Sequence, residues 1–274
     1  MAQVAGIVLA GGRSTRMGAA KAGLAWHGST LLRRVAGLVA RGVDGPVVVV
    51  RAPGQALPAL PATIELADDA RAGRGPLQGL AAGLAAVGDR APAAYASAVD
   101  VPLLHPAFVR RVTGALETTT DVVLPRAGGF SHALAAVYAT AVLARLEELL
   151  AEDRLRPGFL FERCAVRILD EAALLADRAL AAVDPRLDSL LNLNDPGHLE
   201  AARARPAPAV TVQRGEAAPR HVHAATLGAA AAAVGLALDE DTQAMVDSEQ
   251  VAPDAQFPLA AGDEVCFVQR RRRR

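Results

Sequence analysis

Short apolar runs alternate with stretches of helical periodicity along roughly the first two thirds of the chain. The apolar runs at 4–10, 47–50, 94–99 and 121–124 predict buried strands. Apolar residues three and four positions apart predict the helices between them, at 29–41 with Ser29 as N-cap, 77–87 and 106–116. This alternation is typical of a mostly parallel sheet with helices on both faces, a Rossmann-like doubly wound α/β fold.

The pattern becomes less regular beyond this region. It predicts strands at 132–138 and 166–169 and helices at 141–152 and 197–204. Arg-Pro-Ala-Pro then forms a semi-rigid connector, and short strands surround one alanine-rich helix that starts at Thr226. We therefore predict two domains, a small α+β domain following the larger one, with these limits: 1–204, a linker at 205–208, 209–269 and a basic tail at 270–274.

Composition narrows the class of protein. The chain has 274 residues, 52% of them hydrophobic, with 29 basic and 29 acidic side chains. These values argue against disorder and against a generally basic nucleic-acid-binding protein. The longest nearly uncharged apolar stretch, 227–238, is shorter than the roughly 20 residues of a membrane span, and the N-terminus has no basic leader. With only Cys164 and Cys266 no disulfide framework is expected, so we predict a cytoplasmic protein without a membrane partner.

The basic residues are unusual, because one is a lysine, Lys21, and the other 28 are arginines. We expect most of the arginines to be solvated surface charge. The position of the lysine is correspondingly informative.

That lysine ends the richest chemical motif, Leu-Ala-Gly-Gly-Arg-Ser-Thr-Arg-Met-Gly-Ala-Ala-Lys at 9–21, which follows the first strand. Gly11 and Gly12 let the backbone approach a phosphate chain closely, and successive amides in such a loop form a site for anions. Guanidinium and ammonium groups can neutralise phosphate oxygens. The loop supplies them from Arg13, Arg16 and Lys21.

This motif resembles the signature loop of nucleotidyltransferases, specifically the molybdenum cofactor guanylyltransferases, whose fixed positions all match. The resemblance implies that Leu9, Ala10 and Gly11 contact the nucleotide through their backbone, together with Gly12 and Arg13. It also assigns Arg16 to the phosphates and Lys21 to the nucleotide, both as catalytic residues. Cytidylyltransferase relatives tend to carry Leu-Ala-Ala-Gly, so Gly11 favours guanine.

A second segment, Gly-Pro-Leu-Gln-Gly at 75–79, resembles the family's Gly-Pro-Leu-Ala-Gly and implies a nucleotide contact at Gly79. An acidic residue shortly before it contacts guanine in the family. Asp68 and Asp69 both qualify, and we select Asp69. A carboxylate that accepts the guanine N1 and N2 hydrogens would discriminate against other bases. An exposed pair of loop acids is the alternative.

Asp100 follows the strand at 94–99 and precedes Val-Pro. An acid at the carboxyl end of a buried strand points into the ligand crevice of such a sheet. It resembles the family's Asp-X-Pro magnesium ligand, which implies that Asp100 is catalytic, binds the nucleotide and holds Mg²⁺. One carboxylate is enough for Mg²⁺ when phosphates supply other ligands. A cap for the following helix is the alternative.

Near the end of the first domain, Asn192-Leu-Asn194-Asp-Pro resembles the family's Asn-X-Asn-Thr-Pro segment on the substrate side of the cleft. The resemblance implies that Asn192 and Asn194 bind substrate. Asp195 could equally be only the N-cap of the last helix.

The C-terminal segment resembles the small β-grasp domain of sulfur carriers, chiefly through Pro-Leu-Ala-Ala-Gly-Asp-Glu-Val at 258–265. Such carriers end in Gly-Gly, whereas this chain ends in Arg274, so we expect either partner docking or an inert relic rather than sulfur transfer. Residues 209–269 hold 2 basic and 9 acidic side chains. This acidic body suggests docking to a basic surface. The partners implied are molybdenum cofactor biosynthesis proteins or apo-molybdoenzymes.

The function implied is transfer of GMP from GTP to the molybdopterin form of the molybdenum cofactor, with release of pyrophosphate and Mg²⁺ as cofactor. The alternatives within this fold are a molybdopterin cytidylyltransferase or a sugar-phosphate nucleotidyltransferase. An alternative of another class is a scaffold that binds the cofactor and hands it over without transferase activity.

Overall fold

The computed structural model describes residues 3–11, 21–69, 71, 73–239 and 241–269. Its first part contains ten strands: β1 (Val4–Leu9), β2 (Ala25–Trp26), β3 (Ser29–Thr30), β4 (Val47–Arg51), β5 (Ile64–Asp68), β6 (Ala93–Ala98), β7 (Val122–Ala127), β8 (Phe130–Ser131), β9 (Ala135–Ala139) and β10 (Val166–Leu169). The α-helices of this part are α1 (Leu31–Ala40), α2 (Pro76–Val87), α3 (Pro106–Thr113), α4 (Leu143–Ala151), α5 (Pro157–Phe161), α6 (Glu171–Leu175), α7 (Arg178–Val183) and α8 (Pro196–Arg203).

Eight of these strands form one sheet in the order β10-β7-β9-β6-β1-β4-β5, with β8 paired to β7. The pairs β6-β1, β1-β4, β4-β5 and β10-β7 are parallel, whereas β9 runs antiparallel to both of its neighbours. The carboxyl ends of β1, β4, β5 and β6 therefore lie side by side at one edge, where open α/β sheets bind ligands.

Helices cover both faces of this sheet. On one face α1 and α3 pack through Leu32, Val35 and Phe108 against Val8 and Val49. On the other face α2 and α4 pack their leucines against the alternate residues of the same strands. The predicted α/β fold with a mostly parallel sheet is confirmed.

The predicted cap of α1 is wrong, and β5 is one of several elements that the sequence pattern did not predict. Thr30, not Ser29, caps α1, because Ser29 pairs with Trp26 in the β2-β3 hairpin and the Thr30 hydroxyl accepts from the Arg33 amide. The edge strand β5 was not predicted. Only Ile64 of its five residues is buried, so its sequence shows no continuous apolar run.

The C-terminal part contains a second sheet with a hydrophobic core of its own, which includes Val212, Leu227 and Phe267. Its strands run in the order β12-β11-β15-β13-β14, with β11 and β15 parallel at the centre. The elements are β11 (Ala209–Arg214), β12 (Arg220–His223), α9 (Leu227–Ala233), β13 (Thr242–Val246), β14 (Glu249–Val251) and β15 (Glu264–Gln269). A second α+β unit is therefore present, and its assignment as a β-grasp domain stays a prediction.

Across the described ranges, no helix combines the length and apolar character that a membrane crossing needs.

Candidate active site

Two charged residues that are far apart in sequence meet at the carboxyl edge of the large sheet. Lys21 Nζ lies 2.5 Å from Oδ2 of Asp100, which lies two residues beyond the end of β6. Asp100 is 8% exposed, and its other oxygen, Oδ1, is buried without a hydrogen-bond partner among the residues that the structure describes. A buried anionic oxygen without a donor is costly, and a bound cation would satisfy it. The site therefore fits a divalent metal ion at Asp100.

The Asp100 backbone is tied to the segment that carries both predicted asparagines. The Leu193 amide donates to the Asp100 carbonyl at 2.8 Å, and Leu193 is buried in a small apolar cluster with Trp26 and Leu31. Asn192 and Asn194 flank it and are exposed. The fold thus brings this segment beside Asp100, with polar side chains free to contact a ligand.

Asp195, in the same segment, caps α8. Its Oδ1 accepts the His198 amide at 2.9 Å, so the N-cap that the sequence left as an alternative is the geometry observed.

The chain turns sharply after β1. The amides of Ala10 and Gly11 both donate to the Val50 carbonyl, at 2.8 and 3.2 Å. A Cβ on Gly11 would lie 3.1 Å from the Ala52 backbone nitrogen, which explains the glycine. Both amides are therefore engaged within the fold and are not free to bind an anion. Gly12, Arg13 and Arg16 lie outside the described residues.

Sequence reasoning missed Gln55, which secures this turn from the loop after β4. Its Nε2 donates to the Ala10 carbonyl at 3.1 Å, and its Oε1 accepts the Ala52 amide at 3.0 Å. A lone glutamine in a loop carries no sequence signal, because only the fold brings it against β1.

The two candidate acids, Asp68 at the end of β5 and Asp69 directly after it, have different environments. Asp68 forms an ion pair with Arg51 at 2.7 Å and its side chain is 54% exposed. Asp69 is 8% exposed, its amide donates to the Arg51 carbonyl, and its Oδ1 accepts the Arg71 amide at 3.0 Å. Asp69 is therefore the ordered, enclosed carboxylate of the two, at the same sheet edge as Asp100.

Gly79 packs against the side chain of Leu9, so it does not face open space. A Cβ on Gly79 would lie 3.3 Å from Leu9 Cδ2, and both residues are buried between α2 and β1. One turn further, a Cβ on Gly83 would lie 2.5 Å from Ile7 Cγ2. These glycines let α2 pack closely on β1, and the nucleotide contact of Gly79 stays a prediction.

The N-terminus of α2 begins at the same edge of the sheet. Gly75 precedes it with φ of 87°, a conformation that favours glycine, and Pro76 occupies the first helical position. The helix dipole adds positive potential where the acids and Lys21 gather.

Within the described ranges no group of three or more His, Cys, Asp and Glu side chains could enclose a metal ion. A cation at Asp100 would thus take its remaining ligands from water and from the phosphates of a bound substrate, as Mg²⁺ commonly does.

A mostly parallel α/β sheet with a glycine turn, a lysine and a buried aspartate at its carboxyl edge is the arrangement expected of a nucleotidyltransferase-type domain. The model of the MobA-like NTP transferase domain matches residues 6–167. A molybdenum cofactor guanylyltransferase from Desulfosudis oleivorans is 35% identical over 205 residues, which cover 74% of this chain and 96% of the relative. The chain therefore belongs to the MobA-like NTP transferase family.

One more curated relative and two solved structures are also similar to this chain. A probable molybdenum cofactor guanylyltransferase from Mycobacterium avium is 44% identical over 153 residues, covering 54% of this chain and 76% of that protein. Among solved structures, molybdopterin-guanine dinucleotide biosynthesis protein A from Archaeoglobus fulgidus is similar with a TM-score of 0.59 and 21% identity, covering 73% of this chain and 97% of that one. A 4-diphosphocytidyl-2C-methyl-D-erythritol synthase from Anaerococcus prevotii shares the fold with a TM-score of 0.52 and 12% identity, covering 74% and 95%.

Proposed function

We propose that this protein transfers GMP from GTP to the molybdopterin form of the molybdenum cofactor, releasing pyrophosphate and forming the guanine dinucleotide. The observation that carries the proposal is the Lys21–Asp100 ion pair at the ligand-binding edge of the sheet. The buried Oδ1 of this Asp100 has no hydrogen-bond partner among the described residues. The relatives named as molybdenum cofactor guanylyltransferases support the choice of donor and acceptor.

In this reaction a terminal phosphate oxygen of the acceptor attacks the α-phosphorus of GTP, and the bond from that phosphorus to the bridging oxygen of pyrophosphate breaks. Such transfers depend mainly on positioning and charge neutralisation. We propose Mg²⁺ as the divalent ion at Asp100, where it would supply Lewis-acid polarisation of phosphate oxygens. Lys21 Nζ has three protons and uses one toward Asp100, so it can donate the others to phosphates.

We assign the nucleotide to the edge formed by β1, β4, β5 and α2. Leu9, Ala10, Gly11 and Gly79 would shape this wall, and Gly12, Arg13 and Arg16 would contact phosphates. Asp69 would accept hydrogen bonds from guanine N1 and N2. Its enclosure supports this role, since a buried acceptor left unpaired by the wrong base is penalised.

Asn192 and Asn194 would contact the acceptor. They lie beside Asp100 through the Leu193 hydrogen bond, so a group bound to them would approach the metal.

We further propose the domain limits 1–204 and 209–269, with a linker at 205–208 and a basic tail at 270–274. The second domain has the β-grasp arrangement in our assignment, because a helix separates two strand pairs and the first and last strands lie parallel at the centre. We place the reaction in the cytoplasm.

The function is tested by incubating the protein with Mg²⁺, molybdopterin and each of the four nucleoside triphosphates, then measuring pyrophosphate and dinucleotide. We expect pyrophosphate and dinucleotide with GTP, and neither product with the other three triphosphates. Turnover with CTP would identify a cytidylyltransferase, and turnover only with a sugar phosphate as acceptor would identify that class. Tight cofactor binding without pyrophosphate would favour the scaffold.

A further inference from the structure

The C-terminal domain packs against α1 through arginines that no sequence pattern distinguishes from the others. Arg41 forms a bidentate ion pair with Asp263, in which its Nη1 and Nη2 lie 2.7 and 2.8 Å from the two carboxylate oxygens. Arg33 forms an ion pair with Asp254. Asp263 is 3% exposed. Two acids of this acidic domain therefore already bind basic groups of the same chain, rather than a surface of another protein.

Between these ion pairs lies a third arginine with no carboxylate partner in the described structure. Arg34 is 3% exposed, and its guanidinium donates only to backbone carbonyls, at Ala225 and Leu259 of the C-terminal domain and at Pro102 of the first domain. Burial lowers the pKa of Arg34 to about 10. A buried cation needs all of these acceptors, so its position depends on both domains being docked.

The Pro102 contact links Arg34 to the candidate metal site. Pro102 belongs to the Asp100 loop, which we define as residues 99–105 between β6 and α3. Arg34 Nε donates to the Pro102 carbonyl at 2.6 Å, only two residues after Asp100. The guanidinium therefore joins the C-terminal domain directly to the loop that carries the metal ligand.

The same loop has a second contact with the C-terminal domain. His105, at its end, is 2.9 Å from the Ala261 carbonyl through Nε2, while its Nδ1 accepts the Ala107 amide and caps α3. The loop is thus held at Asp100 by Leu193, at Pro102 by Arg34 and at His105 by Ala261. Two of these three supports depend on the C-terminal domain.

We propose that Arg34 is a positioning residue through which the docked C-terminal domain fixes the Asp100 loop in its metal-binding and nucleotide-binding conformation. This role rests on the proposed function, and it means that the second domain acts on the active site of its own chain. Metal and nucleotide affinity then depend on domain docking. Removal of a residue that holds a metal ligand in position typically changes metal affinity or activity about 10–100-fold.

The chain offers two independent ways to disturb this link. Arg34→Met keeps the apolar stem and removes every hydrogen bond. Gly37→Ala should push α1 and the C-terminal domain apart, because a Cβ on Gly37 would lie 2.6 Å from Cγ of Pro258 in that domain. Matched controls are Arg111→Met, whose guanidinium donates to the Ala173 carbonyl within the first domain, and Gly158→Ala, which meets nothing within 4 Å.

The experiment compares the full-length variants by two measurements. Hydrogen exchange reports the opening of the Asp100 loop without any ligand. Electron paramagnetic resonance of Mn²⁺ in the presence of GTP reports metal–nucleotide affinity. We expect Arg34→Met to speed exchange in the loop and to weaken Mn²⁺–GTP binding about tenfold. We expect Gly37→Ala to act in the same direction and the double variant to be no worse than Arg34→Met, since both disrupt one connection.

Unchanged loop exchange or unchanged affinity in Arg34→Met would overturn the proposal, as would strict additivity in the double variant. If Arg34→Met does not fold, Gly37→Ala decides through the same two measurements, with Gly158→Ala as its control. Failure of the proposed function is distinguishable, because it would appear as absent GMP transfer by the wild-type protein. The exchange measurement needs no nucleotide and still decides the positioning role.

Discussion

A single carboxylate, Asp100, carries the metal-binding role in this account. Its Oδ2 is neutralised by Lys21, and its buried Oδ1 has no hydrogen-bond partner among the described residues, so the residue presents one unpaired oxygen at the edge of the sheet. The lysine also limits the cost of burying the acid before ligands arrive.

Asp100→Asn preserves the shape of the side chain and removes its charge. We expect GMP transfer to fall about 100–1000-fold in kcat/KM, since a charge-stabilising group is lost. Mn²⁺ binding in the presence of GTP, followed by electron paramagnetic resonance, should weaken in parallel. Asp68→Asn is the control, because Asp68 forms only an exposed ion pair, and it should stay within a few-fold of wild type. Near-normal transfer by Asp100→Asn would remove Asp100 from the mechanism.

Asp69→Asn tests base recognition. An asparagine retains an oxygen for the Arg71 amide but presents a donor where guanine needs an acceptor. We expect the preference for GTP over the other triphosphates to drop about 100-fold, measured as the ratio of kcat/KM values. An unchanged ratio would show that guanine is read elsewhere.

At the scale of elements, close contacts between α2 and β1 shape the edge of the sheet to which we assign the nucleotide. Gly83 permits this contact because a Cβ there would lie 2.5 Å from Ile7. Gly83→Ala should therefore lower the free energy of unfolding by about 1–3 kcal/mol, through overpacking. Gly158→Ala, in open space, should be neutral or stabilising by up to about 1 kcal/mol. Chemical denaturation of both variants checks this, and equal stabilities would contradict the packing role.

The predictability of these elements follows from burial. Strands β1, β4 and β6 are buried along nearly their whole length, so continuous apolar runs reveal them. The edge strand β5 is mostly exposed and leaves no such pattern. The pairing of Lys21 with Asp100 was predictable in outline, since a loop after β1 and an acid after β6 must share one sheet edge.

Other contacts could not be predicted from sequence. Arg34 is one arginine among 28, and its burial is an exception to the expectation that most of them are solvated. Its burial arises only when two domains dock. The same holds for Gln55 and for Asp263, whose partners are 45 and 222 residues away in sequence.

At the scale of the whole molecule, domain docking couples to pH through His105. Burial lowers the pKa of His105 below its usual 6.5, and Arg41 acts in the same direction, while the hydrogen bond to the Ala261 carbonyl and the charges of Asp263 and Asp184 oppose the shift. The folded state therefore binds this proton less readily than the unfolded chain, so stability is full above about pH 6.5 and declines as the pH falls toward the lowered pKa. Protonation would also remove the Nδ1 acceptor of the α3 cap.

We expect the wild-type free energy of unfolding to decrease between about pH 6.5 and 5 more steeply than that of His105→Gln, which cannot titrate. Denaturation curves at several pH values check this. Equal slopes would mean that His105 contributes nothing to the dependence.

The most direct test of the central claim measures which nucleoside triphosphate the wild-type protein consumes with Mg²⁺ and molybdopterin, and how much pyrophosphate and dinucleotide it forms. We predict that GTP is consumed with one pyrophosphate released per guanine dinucleotide formed, and that Asp100→Asn and Lys21→Ala each lower this turnover by at least about 100-fold while remaining folded. Consumption of another triphosphate in preference to GTP, or full turnover in both variants, would contradict it.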